Sequence, residues 1–265
     1  MDFTSKDGIR SAVRNNYRKY AVQEDSGCGC SSTCCSGDKN VDNDMISAVL
    51  GYSADELASL PAGSNLGLGC GNPIREAQIK AGETVVDLGS GGGIDCFLAS
   101  KAAGDSGKVI GVDMTPEMIS KARKSVEENS VGNVEFRLGE IENLPVGDSL
   151  VDVIISNCVI NLSPEKDRVF SECYRVLKKG GRIAVSDIVA TADLPAHVRQ
   201  DLALISGCMG GASSVEEIKM MLAGSGFGDI SITPKDESRN FISEWAPGSR
   251  MEDYVVSAVI KAVKH

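Results

Sequence analysis

"TVVDLGSGGG", residues 84 to 93, is a run of β-branched and apolar residues that reaches an acid and then breaks into glycines. A buried strand followed by such a turn reads as the opening of a strand–helix unit, and the residues after it, "IDCFLASKAA", continue as a helix. Glycines at 89, 91 and 93 let the backbone approach a ligand closely. The free N–H groups at the helix mouth favour a carboxylate or phosphate. A dinucleotide fingerprint, G-x-G-x-x-G, needs its third glycine where this chain has Ile94. The spacing here is G-x-G-x-G, which argues against NAD.

Outward from that turn, strands alternate with helices. Strands are predicted at 84–88, 108–112, 133–138, 151–156 and 182–186, and helices at 93–103, 116–129 and 164–178. That rhythm implies an α/β fold, a mostly parallel sheet with helices on its faces. Thr115-Pro116 and Ser163-Pro164 each place a cap residue before a proline suited to the first helical position. Upstream, Ile9, Val13, Tyr17 and Tyr20 give residues 6–24 the spacing of an amphipathic helix, and two short helices follow within 43–64. Beyond 190, helices are expected at 195–206 and 214–224, the second opened by a capping box Ser213-x-x-Glu216. Closing strands are expected near 229–234 and 254–262. The predicted organisation is N-terminal helices and a Cys-rich loop (1–79), a Rossmann-like cofactor-binding domain (80–190) and a small C-terminal α+β portion (191–265).

The composition narrows the function. The 265 residues carry 27 Lys+Arg against 37 Asp+Glu, a formal charge of −10, with no dense basic patch. Such a surface disfavours a grip on nucleic-acid phosphates. The start, "MDFTSKDGIR", lacks the apolar core of a signal peptide, and no apolar run approaches a membrane span. The expectation is therefore a cytoplasmic protein with neither nucleic acid nor membrane as partner. Only two histidines are present, His197 and His265, so a histidine base is poorly supplied. Nine cysteines in a reducing compartment read as ligands, nucleophiles or core filler before they read as disulfides.

The second strand, "KVIGVDM", ends in Asp113, an acid placed to accept hydrogen bonds from both hydroxyls of a ribose. After the third strand, "VEFRLGEIENLP" puts Glu140, Ile141 and Glu142 where an adenine ring could be flanked. In order and spacing these residues resemble the successive motifs of class I S-adenosylmethionine-dependent methyltransferases. Members of that class carry one antiparallel strand near the C-terminal edge of the sheet. The resemblance implies that Asp87 and the loop Gly89, Ser90, Gly91 to Gly93 hold the methionine part of S-adenosyl-L-methionine. It assigns the ribose to Asp113 and Met114 and the adenine to Ile141 and Glu142, and counts Asn157 among the cofactor residues.

The cysteines divide by context. Cys96 and Cys173 sit on helix stripes among apolar neighbours and read as core. Cys158, in "IISNCVINLSPE" (154–165), follows a buried strand, at the sheet end where ligands bind. Cys70 in "GLGCGNP" and Cys208 in "SGCMGGA" are flanked by glycines, which predicts accessible thiols unsuited to a core. Three thiols beside a sulfonium cofactor suggest a soft acceptor atom. Zinc favours four ligands with paired spacing, and these cysteines are singletons. Trivalent arsenic bonds three sulfurs in a pyramid and keeps a lone pair that can attack a methyl group.

"GLGCGNP", the G-x-G-x-G loop, "SNCVINL" and "SGCMGGA" together resemble the arsenite S-adenosylmethionine methyltransferases from about residue 40 to 235. The resemblance implies that Cys158 and Cys208 hold arsenic(III), and that Cys70 joins in binding and redox exchange with one cysteine upstream. "CGCSSTCC" offers Cys28, Cys30, Cys34 and Cys35 for that partner, with Cys34 or Cys35 preferred for lying nearer the folded body; the plain alternative is a metal-scavenging loop. The expected substrates are arsenite or methylarsenite, and the expected reductant is thioredoxin or a small thiol. Two other readings are a methyltransferase of a quinone-like or other small organic acceptor, and a non-enzymatic thiol binder of metalloids.

Overall fold

The computed structural model describes residues 5–22, 43–245 and 248–265. Cys28, Cys30, Cys34 and Cys35 lie outside the described residues. Among the described residues, four helices precede the first strand: α1 (Lys6–Val22), α2 (Asn43–Val49), α3 (Ala54–Ala58) and α4 (Pro73–Ala77). Local chemistry starts the last two. Ser53 and Glu56 form a capping box on α3. On α4, the Asn72 side chain accepts the Arg75 N–H, with a proline at the helix start.

The alternating core follows as β1 (Thr84–Leu88), α5 (Ile94–Ala103), β2 (Lys108–Asp113), α6 (Pro116–Glu128), β3 (Val134–Leu138), β4 (Val151–Asn157), α7 (Lys166–Val176) and β5 (Leu177–Ala190). After it come α8 (Ala196–Gln200), α9 (Leu202–Ser206), the two-residue β6 (Ser213–Ser214), α10 (Val215–Gly224), β7 (Phe227–Lys235), α11 (Arg239–Trp245) and β8 (Val255–Lys264). The sheet order is β3-β2-β1-β4-β5-β8-β7, with β6 pairing β5. Only β8 runs against its neighbours, β5 and β7. The sheet is therefore mostly parallel with one antiparallel strand, as the sequence motifs imply.

β1 is the pivot. Leu88 pairs with Val112 on one side and Ser156 on the other, so the carboxyl ends of β1, β2 and β4 arrive at one edge. The order reverses between β1 and β4, which is where open α/β sheets bind ligands. Both faces of the sheet are covered. Val86, Leu88 and Ile154 pack with Phe170, Val176 and Leu222 on one side. Val85, Val109 and Val153 pack with Phe97, Ile119 and Ala122 on the other. Two-sided burial is why these strands read as unbroken apolar runs.

Most boundaries fall within a residue or two of the sequence reading, and four larger or chemically informative differences have a local reason. β5 begins at Leu177, not 182, and reaches Ala190 because β8 pairs along it from Arg182 onward. Ser163 does not cap α7. Its Oγ donates to Glu142 and accepts the Glu165 N–H, so the helix starts only at Lys166. The expected helix 195–206 is two, because Asp201 accepts the N–H groups of Ala203 and Leu204 and caps α9. The capping box on α10 is Ser214 with Glu217, one residue later than expected, since Ser213 pairs with Val189 in the sheet.

Candidate active site

The carboxyl ends of the strands open into a cavity of about 2020 Å³. That is larger than one drug-sized ligand needs and leaves room for two reactants. Its floor is the turn after β1. Asp113 accepts the Gly91 N–H through Oδ2 (3.0 Å) and the Thr115 N–H through Oδ1 (2.8 Å). The carboxylate thereby locks the glycine loop to the start of α6, while the Thr115 hydroxyl makes no cap bond. Asp87, Asp95 and Asp113 all line this space and are all buried. No ion pair reaches any of the three among the described residues.

Burial pushes these carboxyls up. Asp87 is held well above the usual carboxylate range by burial and by the charge of Asp95. Burial raises Asp95 to about 6 despite hydrogen bonds from Tyr52 and Asn157 that oppose it. Asp113 is raised by burial too, against the N–H groups of Thr115 and Gly91. Three buried acids without a cation suit a ligand that brings positive charge. Ser90 Oγ is buried in the same wall with no hydrogen-bond partner among the described residues. A cationic ligand carrying hydroxyls fits that donor and acceptor set, and S-adenosyl-L-methionine is one.

Met114, Ile141, Glu142 and Asn157 line the cavity as well, so every residue assigned to the cofactor by sequence, apart from the buried Gly93, meets this space. Two of them carry further duties. Glu142 Oε1 accepts from Ser163 Oγ (2.6 Å) and from Arg10 of α1 (3.2 Å). Asn157 Oδ1 accepts the Cys70 N–H at 2.9 Å.

The three singled-out thiols converge. Cys70, Cys158 and Cys208 share one buried cluster with Leu162, Ile188 and Met209. The sulfurs of Cys70 and Cys158 and a carboxylate oxygen of Asp187 lie within 4.8 Å of one another. Cys208 Sγ donates to the Cys158 carbonyl at 2.6 Å. Cys158 and Cys208 both have left-handed backbones, with φ of 60° and 64°. For a residue with a side chain that conformation is uncommon and strained, and strain of this kind gathers at functional sites. Hydrogen bonds to Cys208 and Cys70, with burial, hold the Cys158 thiol well above its ordinary range. Burial likewise raises Cys70.

One expectation fails here. Glycine neighbours predict accessible thiols, yet Cys70 and Cys208 are each only 2% exposed. The glycines serve close packing instead. A Cβ at Gly71 would sit 2.8 Å from Ser186 Oγ, and one at Gly211 would sit 2.1 Å from the Asn161 carbonyl. They press the Cys70 loop onto β5 and the Cys208 turn onto the turn after β4.

Cys96 and Cys173 are fully buried core residues, as expected. Cys96 also donates to Asp87 Oδ2 at 3.3 Å, beneath the cofactor wall.

Sequence reasoning missed Asp187. It accepts the N–H groups of Ile160 (2.9 Å) and Ile188 (2.8 Å) and the Asn161 amide (2.9 Å), fixing the turn that carries Cys158. Burial raises it to about 6. An acid inside the apolar run "IAVSDIVA" was the available signal. Tyr17 and Arg10 on α1 were missed as site residues too, since spacing shows the apolar stripe of a helix but not what it covers. Tyr17 Oη donates to the Ser206 carbonyl at 3.3 Å, two residues before Cys208.

Comparison with known proteins bears on this arrangement. The methyltransferase domain family matches residues 79–226. The arsenite methyltransferase of Halobacterium salinarum is 52% identical over 259 residues, covering 96% of this chain and 66% of that protein. The crystal structure of the arsenic(III) S-adenosylmethionine methyltransferase of Chlamydomonas reinhardtii superposes with a TM-score of 0.63 at 32% identity, covering 83% of this chain and 73% of that one. The chain belongs to the arsenite methyltransferase family. The arsenite methyltransferase of Aquipseudomonas alcaligenes is 42% identical over 168 residues, 61% of this chain and 48% of that relative. The chain thus spans just under two thirds, and about half, of the lengths of these two curated relatives. The family's cofactor is S-adenosyl-L-methionine. Among the described residues no helix is long and apolar enough to cross a membrane.

Proposed function

We propose that this protein methylates trivalent arsenic held by Cys70, Cys158 and Cys208. The observation that carries the reading is the convergence of three unpaired thiols in one buried cluster, two of which, Cys158 and Cys208, line a cavity whose other wall suits a cationic cofactor. The donor set is soft, which favours arsenic(III) over a hard cation. Arsenite enters as the neutral hydroxide. Each thiol that bonds arsenic gives its proton to a departing hydroxide, so water leaves and no net charge is buried.

When bound, S-adenosylmethionine supplies a methyl group made electrophilic by its sulfonium. The lone pair of thiolate-held arsenic would form the new As–C bond, the C–S bonding pair departing with the thioether sulfur. No residue need act as a base in that step, which agrees with the scarcity of histidine. Asp87, Asp95 and Asp113 hold and orient the cofactor. The apolar cluster around Cys158 excludes water. Alignment of two bound reactants is worth up to roughly 7–11 kcal/mol.

The product arsenic is formally pentavalent. Two protein thiols return two electrons and become a disulfide, which thioredoxin or a small thiol reopens. Turnover therefore requires an external thiol, and arsenite or methylarsenite are the acceptors.

The test is arsenic speciation by chromatography after the reduced protein meets arsenite, S-adenosylmethionine and a thiol. Methylated arsenicals are expected from the wild type and not from Cys158→Ser or Cys208→Ser. Both variants should keep cofactor affinity within about twofold, because the hydrogen bonds that hold Asp113 to the glycine loop and to Thr115 involve neither thiol. Full activity in either variant would remove that cysteine from the arsenic site. Bound cofactor with no arsenical product would move the acceptor to an organic molecule.

A further inference from the structure

We propose that Tyr52 and Asn157 are positioning residues that couple the cofactor cavity to Cys70, so that cofactor and arsenite each tighten the binding of the other. The proposal rests on the reading above. Asp95 faces the cavity and is buried. Tyr52 Oη donates to Asp95 Oδ1 at 2.7 Å. The Asn157 amide lies 3.0 Å from Tyr52 Oη and 3.4 Å from Asp95 Oδ2, and it donates to the Gly71 carbonyl at 2.8 Å. Its Oδ1 accepts the Cys70 N–H at 2.9 Å.

One side-chain amide thus meets a carboxylate–phenol pair on one side and grips the Cys70 N–H and the Gly71 carbonyl on the other. The loop is pressed onto that amide. A Cβ at Gly69 would sit 2.7 Å from Asn157 Nδ2. Neither Tyr52 nor Cys70 lines the cavity itself, so Asp95 and Asn157 are the points where the chain meets the cofactor's space.

The physical link is charge. A cation seated beside Asp95 favours its ionised form. Hydrogen bonds to an ionised acceptor are roughly twice as strong as neutral ones, and a chain of them polarises its members. Occupancy of the cavity should therefore firm the Tyr52–Asp95–Asn157 chain and hold the Cys70 thiol in place for arsenic. Linkage makes the effect reciprocal.

The experiment is arsenite titration by calorimetry of the reduced full chain, with and without saturating sinefungin, a cationic cofactor analogue that transfers no methyl group. The wild type should bind arsenite at least about fivefold more tightly when sinefungin is present, within the usual range of coupling. In Tyr52→Phe the ratio should fall below about twofold, while each ligand alone binds as in wild type. Such a pattern separates positioning from general damage, which would weaken the solitary affinities or lower the melting temperature. Asp95→Asn, titrated at saturating sinefungin, gives a second variant and should also lose the ratio. Wild-type coupling retained in Tyr52→Phe would overturn the proposal, as would a wild type that binds both ligands independently. A wild type that binds sinefungin and no arsenite would overturn the function itself and this inference with it.

Discussion

Cys158 combines a strained backbone with the thiol proposed to hold arsenic. Its φ of 60° turns the chain out of β4, and two hydrogen bonds to Asp187, from the Ile160 N–H and the Asn161 amide, hold the turn that follows. The cofactor wall is built by a similar device, with Asp113 bonded to the loop it must keep open. Asp113→Ala should weaken cofactor binding about 10- to 100-fold, the worth of one or two hydrogen bonds to a charged group, as read by calorimetry. Unchanged affinity would take Asp113 out of the cofactor site. Asp95 makes a pH prediction. Its ordinary value is 3.8 and its folded value about 6, so between those values the unfolded chain releases the proton first. Its contribution to stability is full below pH 3.8 and is lost as pH rises towards 6. Asp95→Asn cannot ionise. Relative to wild type, it should gain up to ~3 kcal/mol between pH 4 and pH 7 in urea unfolding of the cofactor-free protein. A difference that stays flat with pH would contradict the raised carboxyl. At this scale the sequence showed which cysteines stand apart, because glycines flank Cys70 and Cys208 and a buried strand ends just before Cys158. It misread why: a glycine neighbour looks the same on paper whether it exposes a thiol or lets a loop pack where a Cβ would collide with Ser186.

Helix α1 is the element whose role changed most between sequence and structure. Ile9, Val13 and Tyr17 give it a legible apolar stripe, and that stripe packs into the cluster holding the three thiols. Its polar face then clasps the rim of the cofactor cavity. Arg10 meets Glu165 at 2.5 Å and Glu142 at 3.2 Å, Lys6 meets Glu165 at 2.8 Å, and Arg18 meets Glu117 at 2.8 Å. Hydrogen bonds from Lys6 and Arg10 hold the Glu165 carboxyl down at about 2. Of these contacts the one to Glu142 should matter most, because that carboxylate is only 5% exposed. Exposed pairs such as Arg18–Glu117 contribute little. Arg10→Ala should lower stability by about 1–3 kcal/mol, seen as a lower urea midpoint at unchanged slope. It should also speed cofactor release in stopped flow; release at the wild-type rate would mean that α1 does not retain the cofactor. None of this was legible from spacing. The helix period predicts a buried face, but pairing partners 132 and 155 residues away follow only from the sheet order.

At the scale of the whole molecule, the thiols come from three places: the loop before α4, the turn after β4 and the turn after α9. Their meeting depends on β8, whose Ser257 Oγ donates to the Cys70 carbonyl at 2.7 Å, and on the Gly211 contact with Asn161. The motif order from "TVVDLGSGGG" to Asp113 was enough to read the sheet, since each motif is local and the crossover rule places it. The thiol centre is non-local, and no spacing between residues 70, 158 and 208 encodes it. That difference has a thermodynamic consequence. In the unfolded chain these cysteines are separate single ligands, so arsenite should bind the native state far better than the unfolded one. Arsenite at 100 times its dissociation constant should then raise global stability by about 2.7 kcal/mol. For a chain of this size that is roughly 5–10 °C in melting temperature under reducing conditions. Cys158→Ser should abolish the shift without lowering the starting midpoint by more than a few degrees. A shift that survived Cys158→Ser would place the arsenite elsewhere.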